Sequence, residues 1–113
     1  MANPQKRKGD NAEREVAGLI ADLTGAPARR KLGAGRLDDQ GDIDGVPDTT
    51  IQVVAYGRRD FATAVRVKPI VAEEQRARAR TTFAATFVKL PGGGGYRVVL
   101  TPEQWATYFR ESI

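Results

Sequence analysis

Apolar positions in this chain change period several times, and each change marks an element. Ala12, Val16, Leu19, Ile20 and Leu23 recur at helical spacing and form one stripe. Asp10 or Asn11 is placed to cap that helix, and Gly25 and Pro27 to end it. Glu13 borders the stripe, where an acid in a first turn also suits the helix dipole. A short basic strand is expected over residues 28–32, broken by Gly33-Ala34-Gly35, with a loop from Arg36 to Gln40. Residues 41–46 place Ile43 between Asp42 and Asp44, and period two sets both acids on one face. After the turn signal Pro47-Asp48-Thr49-Thr50 comes a β-rich run over residues 51–56. There Ile51, Val53 and Ala55 share one face, and Gln52, Val54 and Tyr56 the other. The two segments read as a hairpin or meander.

Residues 61–80 are helical in character, and Pro69 predicts either a kink or a second helix beginning near it. Arg76 and Arg80 share a face of that region, either as a solvated surface or as a ridge for phosphates. Residues 83–88 alternate as a strand. Pro91 and the run Gly92–Gly95 make a turn, and Tyr96 opens the returning strand. Thr101-Pro102-Glu103-Gln104 is a helix start, with Thr101 as cap, Pro102 in first position and Gln104 closing a capping box. Trp105, Tyr108 and Phe109 follow at i, i+3, i+4, a stripe expected in the core rather than in base stacking or a partner groove. Helix, three strands, helix, strand pair and helix predict an α/β layer fold: a mixed central sheet flanked by helices, ending in a β-hairpin and a helix. No internal repeat is visible.

Composition narrows the chemistry. The 113 residues suit one domain, expected over residues 10–113, preceded by a flexible basic arm over residues 1–9. Hydrophobic residues are 41% and charged residues 28%, a globular balance. There is no Cys and no His, so thiolate and imidazole are excluded from any metal or catalytic scheme. A metal site would need oxygen ligands, which suits Mg²⁺, Mn²⁺ or Ca²⁺. No apolar run approaches membrane-spanning length, and the basic N-terminus lacks a signal-peptide stretch, so a cytoplasmic protein without membrane contact is expected.

The net charge of +4 is unevenly distributed. Lys6, Arg7, Lys8, Arg29, Arg30, Lys31, Arg58 and Arg59 form basic groups, while acids collect between Asp38 and Asp48. A basic protein with one acidic island fits a nucleic-acid binder with a metal site; a solvated surface of uneven charge is the plainer alternative.

Three stretches resemble the PD-(D/E)XK nuclease superfamily, and within it the small phage and archaeal-type Holliday junction resolvase-like proteins. Lys8-Gly9-Asp10-Asn11-Ala12-Glu13-Arg14-Glu15 looks like the start of their first helix. Gly41-Asp42-Ile43-Asp44-Gly45 looks like their GD-containing strand. Residues 96–108, a strand followed by the Thr-Pro-Glu-Gln helix, resemble their C-terminal end. The resemblance implies an αβββαβ restriction-endonuclease-like core with residues 41–56 as its two central strands. It implies metal-assisted phosphodiester hydrolysis with Mg²⁺ or Mn²⁺, in which a helix Glu, a strand Asp and a Glu or Gln on the next strand organise the metal. A Lys two residues later positions the water. By position the metal ligands are Glu13, Asp42 and Gln52, while Val54 stands where the Lys belongs. Lys68 is the nearest replacement, completing a catalytic set of Glu13, Asp42, Gln52 and Lys68; Lys31 and Lys89 are further candidates.

Loss of a positioned charge at a transition state lowers rate by orders of magnitude. Three readings therefore stand: a nuclease acting on branched DNA, a nuclease-fold protein that binds DNA without cutting it, and a small phage protein that binds a host protein. The resemblance further implies a homodimer, and a bacterial host cytoplasm if the chain is phage-encoded.

Overall fold

The computed structural model describes residues 4–31 and 40–113. Met1–Asn3, Leu32, the Gly33-Ala34-Gly35 break and residues 36–39 of the expected loop lie outside the described residues. Four helices and two small sheets follow in the predicted order. They are α1 (Pro4–Thr24), β1 (Arg29–Arg30), β2 (Ile43–Asp44), β3 (Thr49–Val54), a 3-10 turn (Arg58–Asp60), α2 (Phe61–Arg66), α3 (Lys68–Ala79), β4 (Phe83–Lys89), β5 (Tyr96–Val99) and α4 (Pro102–Glu111).

Helix α1 departs from expectation at its start. Pro4 to Gly9 are helical, so this part of the expected arm belongs to the first helix. Asp10 is an interior residue of it, bonded one turn back to Lys6 at 3.0 Å. Such i,i+4 pairs support a helix modestly. Arg30 adds a tertiary tie to the same carboxylate at 3.0 Å.

Strands β3 and β4 run parallel, with α2 and α3 as the crossover, and β5 returns antiparallel to β4. The three-stranded sheet has the order β3-β4-β5, which makes β4 its centre. Strands β1 and β2 form a separate antiparallel pair, so the 41–56 stretch does not supply two central strands. A backbone bond, Asp42 N–H to Ile51 O at 2.8 Å, ties the GD segment to β3.

Both sheet faces are covered, as the alternation in residues 51–56 predicts. Ile51 and Val53 pack with Ala12, Val16, Ala17 and Ile20 of α1 and with Ile43. On the other side Val54 and Val88 pack with Ala64 of α2, beside Tyr56, Phe61 and Val99. Helix α1 leaves an apolar groove of about 350 Å³ on its face, lined by Ile20, Ile51, Ala85, Phe87, Val98 and Tyr108 among others. No helix among the described residues is long and apolar enough to cross a membrane.

Pro69 falls in the first turn of α3, and the break before it separates α2 from α3. Arg76 is drawn into the end of α3, where it pairs with Glu73 and donates to Thr81 O at 2.7 Å. That contact uses one edge of its guanidinium for structure rather than for a phosphate ridge.

Helix α4 starts with the expected capping box. Gln104 also donates through Nε2 to Pro69 O and to Glu73 Oε1, both at 3.1 Å, which docks α4 against α3. Its neighbour one turn on, Tyr108, stacks on Phe83 at 4.7 Å. The expected aromatic core is therefore split. Trp105 and Phe109 lie on the next ridge, stacked on each other at 5.4 Å, and stay 58% and 51% exposed. Trp105→Ala is expected to cost about 1 kcal/mol in urea unfolding, against about 3–5 for a core aromatic. A loss in the core range would place the ring inside.

Candidate functional site

The GDIDG segment is held by backbone geometry. Gly41 has φ +105° and Gly45 φ +88°, a region that favours glycine. A Cβ on Gly45 would stand 2.0 Å from Pro27 O, so only glycine lets this turn lie against the chain entering β1. Between the two glycines, Ile43 turns into the core and Asp42 is 9% exposed. The Asp42 carbonyl accepts from Lys31 N–H, and its carboxylate Oδ2 accepts from Val53 N–H, both at 2.8 Å. Asp44 meets Lys31 at 3.8 Å instead. Asp42 thus stands beside β3, one residue from Gln52.

Gln52 points to the face away from α1 and is buried. Its Oε1 meets no donor among the described residues, and its Nε2 makes only a long 3.4 Å contact to Val53 O. Gln52 lines a pocket of about 160 Å³ with Val54, Tyr56, Gly9 and Lys68. Lys68 reaches that pocket from the start of α3, with Nζ 5.7 Å from the Tyr56 ring centre. Of the lysines weighed as replacements, Lys68 shares the Gln52 pocket, Lys31 is paired with Asp44, and Lys89 with Glu15 at 2.9 Å.

Glu13 is held elsewhere. Its carboxylate receives Arg30 Nε at 3.1 Å, while Arg30 Nη2 meets Asp10 at 3.0 Å. One guanidinium spans two acids of α1 and supplies the positive charge between them. The Lys6 hydrogen bond, with Arg30 adding to it, holds the Asp10 carboxyl below its ordinary range. Among the described residues no group of three or more Asp and Glu converges to hold a metal ion. Gln52 Oε1 is an acceptor without a donor among the described residues, yet it carries no charge, and the Glu13 carboxylate is paired with Arg30. Among the described residues the expected set of Glu13, Asp42 and Gln52 thus has one acid paired with Arg30 and a neutral carbonyl at its third position, an arrangement less charged than three free acids would offer Mg²⁺ or Mn²⁺.

The expected DNA-contacting residues divide in the same way. Lys6 is paired with Asp10, Arg30 with Asp10 and Glu13, Lys31 with Asp44, and Arg59 with Asp60 at 3.6 Å. Arg7, Lys8, Arg29 and Arg58 are exposed. Two of these, Lys8 and Arg58, are brought together by a second pocket of about 290 Å³, where Lys89 and Tyr56 join them. Gly57 and the Leu90–Gly93 segment close its wall. The lack of a side chain on Gly92 lets the Arg58 guanidinium lie against the turn: a Cβ there would be 2.8 Å from Nη2.

No sequence signal marks Tyr56 as a binding residue, and Lys89 stands there only as a further replacement for the missing lysine. They meet because β3 and β4 are parallel, with Val54 paired to Val88, so both chains leave the sheet at one end. In open α/β sheets the carboxyl ends of parallel strands are the usual ligand-binding edge. Glu15 accepts from both Lys89 and the Tyr96 hydroxyl. The Tyr96 bond first, and Lys89 after it, lower the Glu15 pKa, while burial and Glu15 raise that of Tyr96.

Comparison with protein-family models, with curated proteins and with solved structures found no match to this chain.

Proposed function

We propose that this chain is a DNA-binding protein on a nuclease-like scaffold, of the αβββαβ kind that its sequence resembles, and that it holds DNA without metal-dependent hydrolysis. The observation that carries this reading is the gathering of Lys8, Arg58 and Lys89 at the carboxyl ends of β3 and β4. Of the expected metal ligands, Glu13 is bonded to Arg30, Asp42 accepts from Val53 N–H, and the third position holds neutral Gln52. Cations without a metal centre suit phosphate binding rather than phosphate cleavage. Branched DNA and a homodimer are the substrate and assembly that the resemblance adds.

Fluorescence anisotropy with a labelled four-way junction and a duplex tests this. Neutralising about four phosphates implies an affinity loss of about a hundredfold between roughly 50 and 200 mM salt. The absence of binding at the lower salt overturns the reading. Cleavage of either DNA with Mg²⁺ or Mn²⁺ overturns its second half and returns Lys68, which shares the Gln52 pocket, to a catalytic role. The exposed Trp105–Phe109 stack favours a second reading, a protein-binding role such as capture of a host protein. Failure to bind DNA at low salt would leave that reading standing.

A further inference from the structure

We propose that the pocket between Tyr56 and the glycine turn seats one unpaired nucleotide of a DNA strand, with its phosphate among Lys8, Arg58 and Lys89 and its base against the Tyr56 ring. This rests on the DNA-binding reading and names the DNA feature that the protein selects.

Three observations converge on one nucleotide. The first is size: about 290 Å³ lies just under the usual range of ligand pockets, which starts at about 300 Å³, and leaves room for no more than one nucleotide. The second is charge. Lys8 comes from α1, Arg58 from the turn after β3 and Lys89 from the end of β4, so basic residues of three separate elements line the same space. Glu15 offsets part of this. It bonds Lys89 and the Tyr96 hydroxyl, fixing Lys89 beside the pocket, and leaves the cations in excess. The third is the ring. Tyr56 lines both this pocket and the neighbouring one, where Lys68 Nζ lies over its ring at 5.7 Å. An aromatic wall beside a basic groove is the arrangement by which proteins hold single strands, because every base has a face to stack. A stacked duplex keeps its bases inside and cannot offer one to a recessed ring.

The turn itself belongs to the site. Gly92 and Gly93 line the pocket, and the Arg58 guanidinium lies against the turn at Gly92. A Gly-rich hairpin turn, otherwise a plain connection, becomes the outer rim.

Anisotropy titrations with oligo-dT and with a duplex of equal length test the inference. Tyr56→Ala is expected to lower the ratio of single-strand to duplex affinity about tenfold, the effect of losing one base stack. Tyr56→Phe is expected to restore most of that ratio. Tyr56 also packs near Val54, so Arg58→Gln, a surface change, provides a second variant and is expected to lower oligo-dT affinity severalfold. Photo-crosslinking of bromodeoxyuridine-substituted single strand is expected to mark Tyr56. An unchanged affinity ratio in Tyr56→Ala, together with a crosslink elsewhere, overturns the inference while duplex binding keeps the DNA-binding reading intact. If the unaltered protein binds neither DNA, both fall. If dTMP competes at the same concentration as the oligonucleotide, the pocket serves a free nucleotide and the strand assignment is overturned.

Discussion

Gly45→Ala is expected to remove about 2–5 kcal/mol of stability, the largest loss foreseen for a methyl added at any described glycine. Two costs add. An L-residue held at φ +88° is strained by about 1–2 kcal/mol. The new Cβ would also stand 2.0 Å from Pro27 O and 2.8 Å from Pro27 C, and these are backbone atoms that cannot rotate aside. Forcing them apart is overpacking, typically about 1–3 kcal/mol. Relief would push residues 27–28 away from the GDIDG turn and take Arg30 with them, off the register that pairs it with Ile43. Urea unfolding monitored by circular dichroism measures the loss. Gly18→Ala is the control: it lies exposed on α1 with no atom within 4 Å of its would-be Cβ. There the same methyl is expected to stabilise by about 0.5–1 kcal/mol, since glycine is a poor helix former. Near-equal effects at the two positions would mean that the turn at Gly45 yields without cost.

This asymmetry also shows what the sequence makes legible. The β run, the split at Pro69 and the Thr101–Gln104 start are local features, each decided within a few residues; the last two appear where expected, and the strand runs over Thr49–Val54, two residues ahead of the expected 51–56. What escapes local reading depends on partners far along the chain. Asp10 looks like a helix cap until Arg30, from another element, binds it as an interior residue. Glu13 keeps its expected place on α1, but the same Arg30 pairs with its carboxylate. For Trp105, Tyr108 and Phe109, period alone cannot say which of two adjacent ridges faces inward. Gln104 decides it, by bonding the α3 backbone at Pro69 and leaving Trp105 outside. Tyr56 and Lys89 become neighbours only through the parallel pairing of β3 with β4, a contact that no local pattern encodes.

Val54→Lys, which restores the residue type that the resemblance asks for, is expected to cost about 2–4 kcal/mol and to produce no cleavage of junction or duplex DNA with Mg²⁺ or Mn²⁺. Val54 is 3% exposed and packs with Ala64 and Val88, so a longer side chain overfills a formed core. Its one outlet is the pocket shared with Gln52 and Lys68, where its ammonium would meet a second one. Burial and a like charge both disfavour the protonated amine. Even a lysine that reached solvent there would face an incomplete acid set, because Gln52 is neutral and Glu13 is bonded to Arg30. Measured side by side, unfolding in urea and a gel assay on labelled junction DNA separate the two expectations. Gln52→Glu combined with Arg30→Gln is the companion variant that addresses the acids instead. It frees Glu13 and adds a carboxylate beside Asp42, and is expected to bind Mn²⁺ in calorimetry where the unaltered chain does not. Cleavage by Val54→Lys alone would show that Asp42 with the present partners already suffices for a metal. The lost lysine, rather than the Arg30-neutralised acids, would then be what silences the centre.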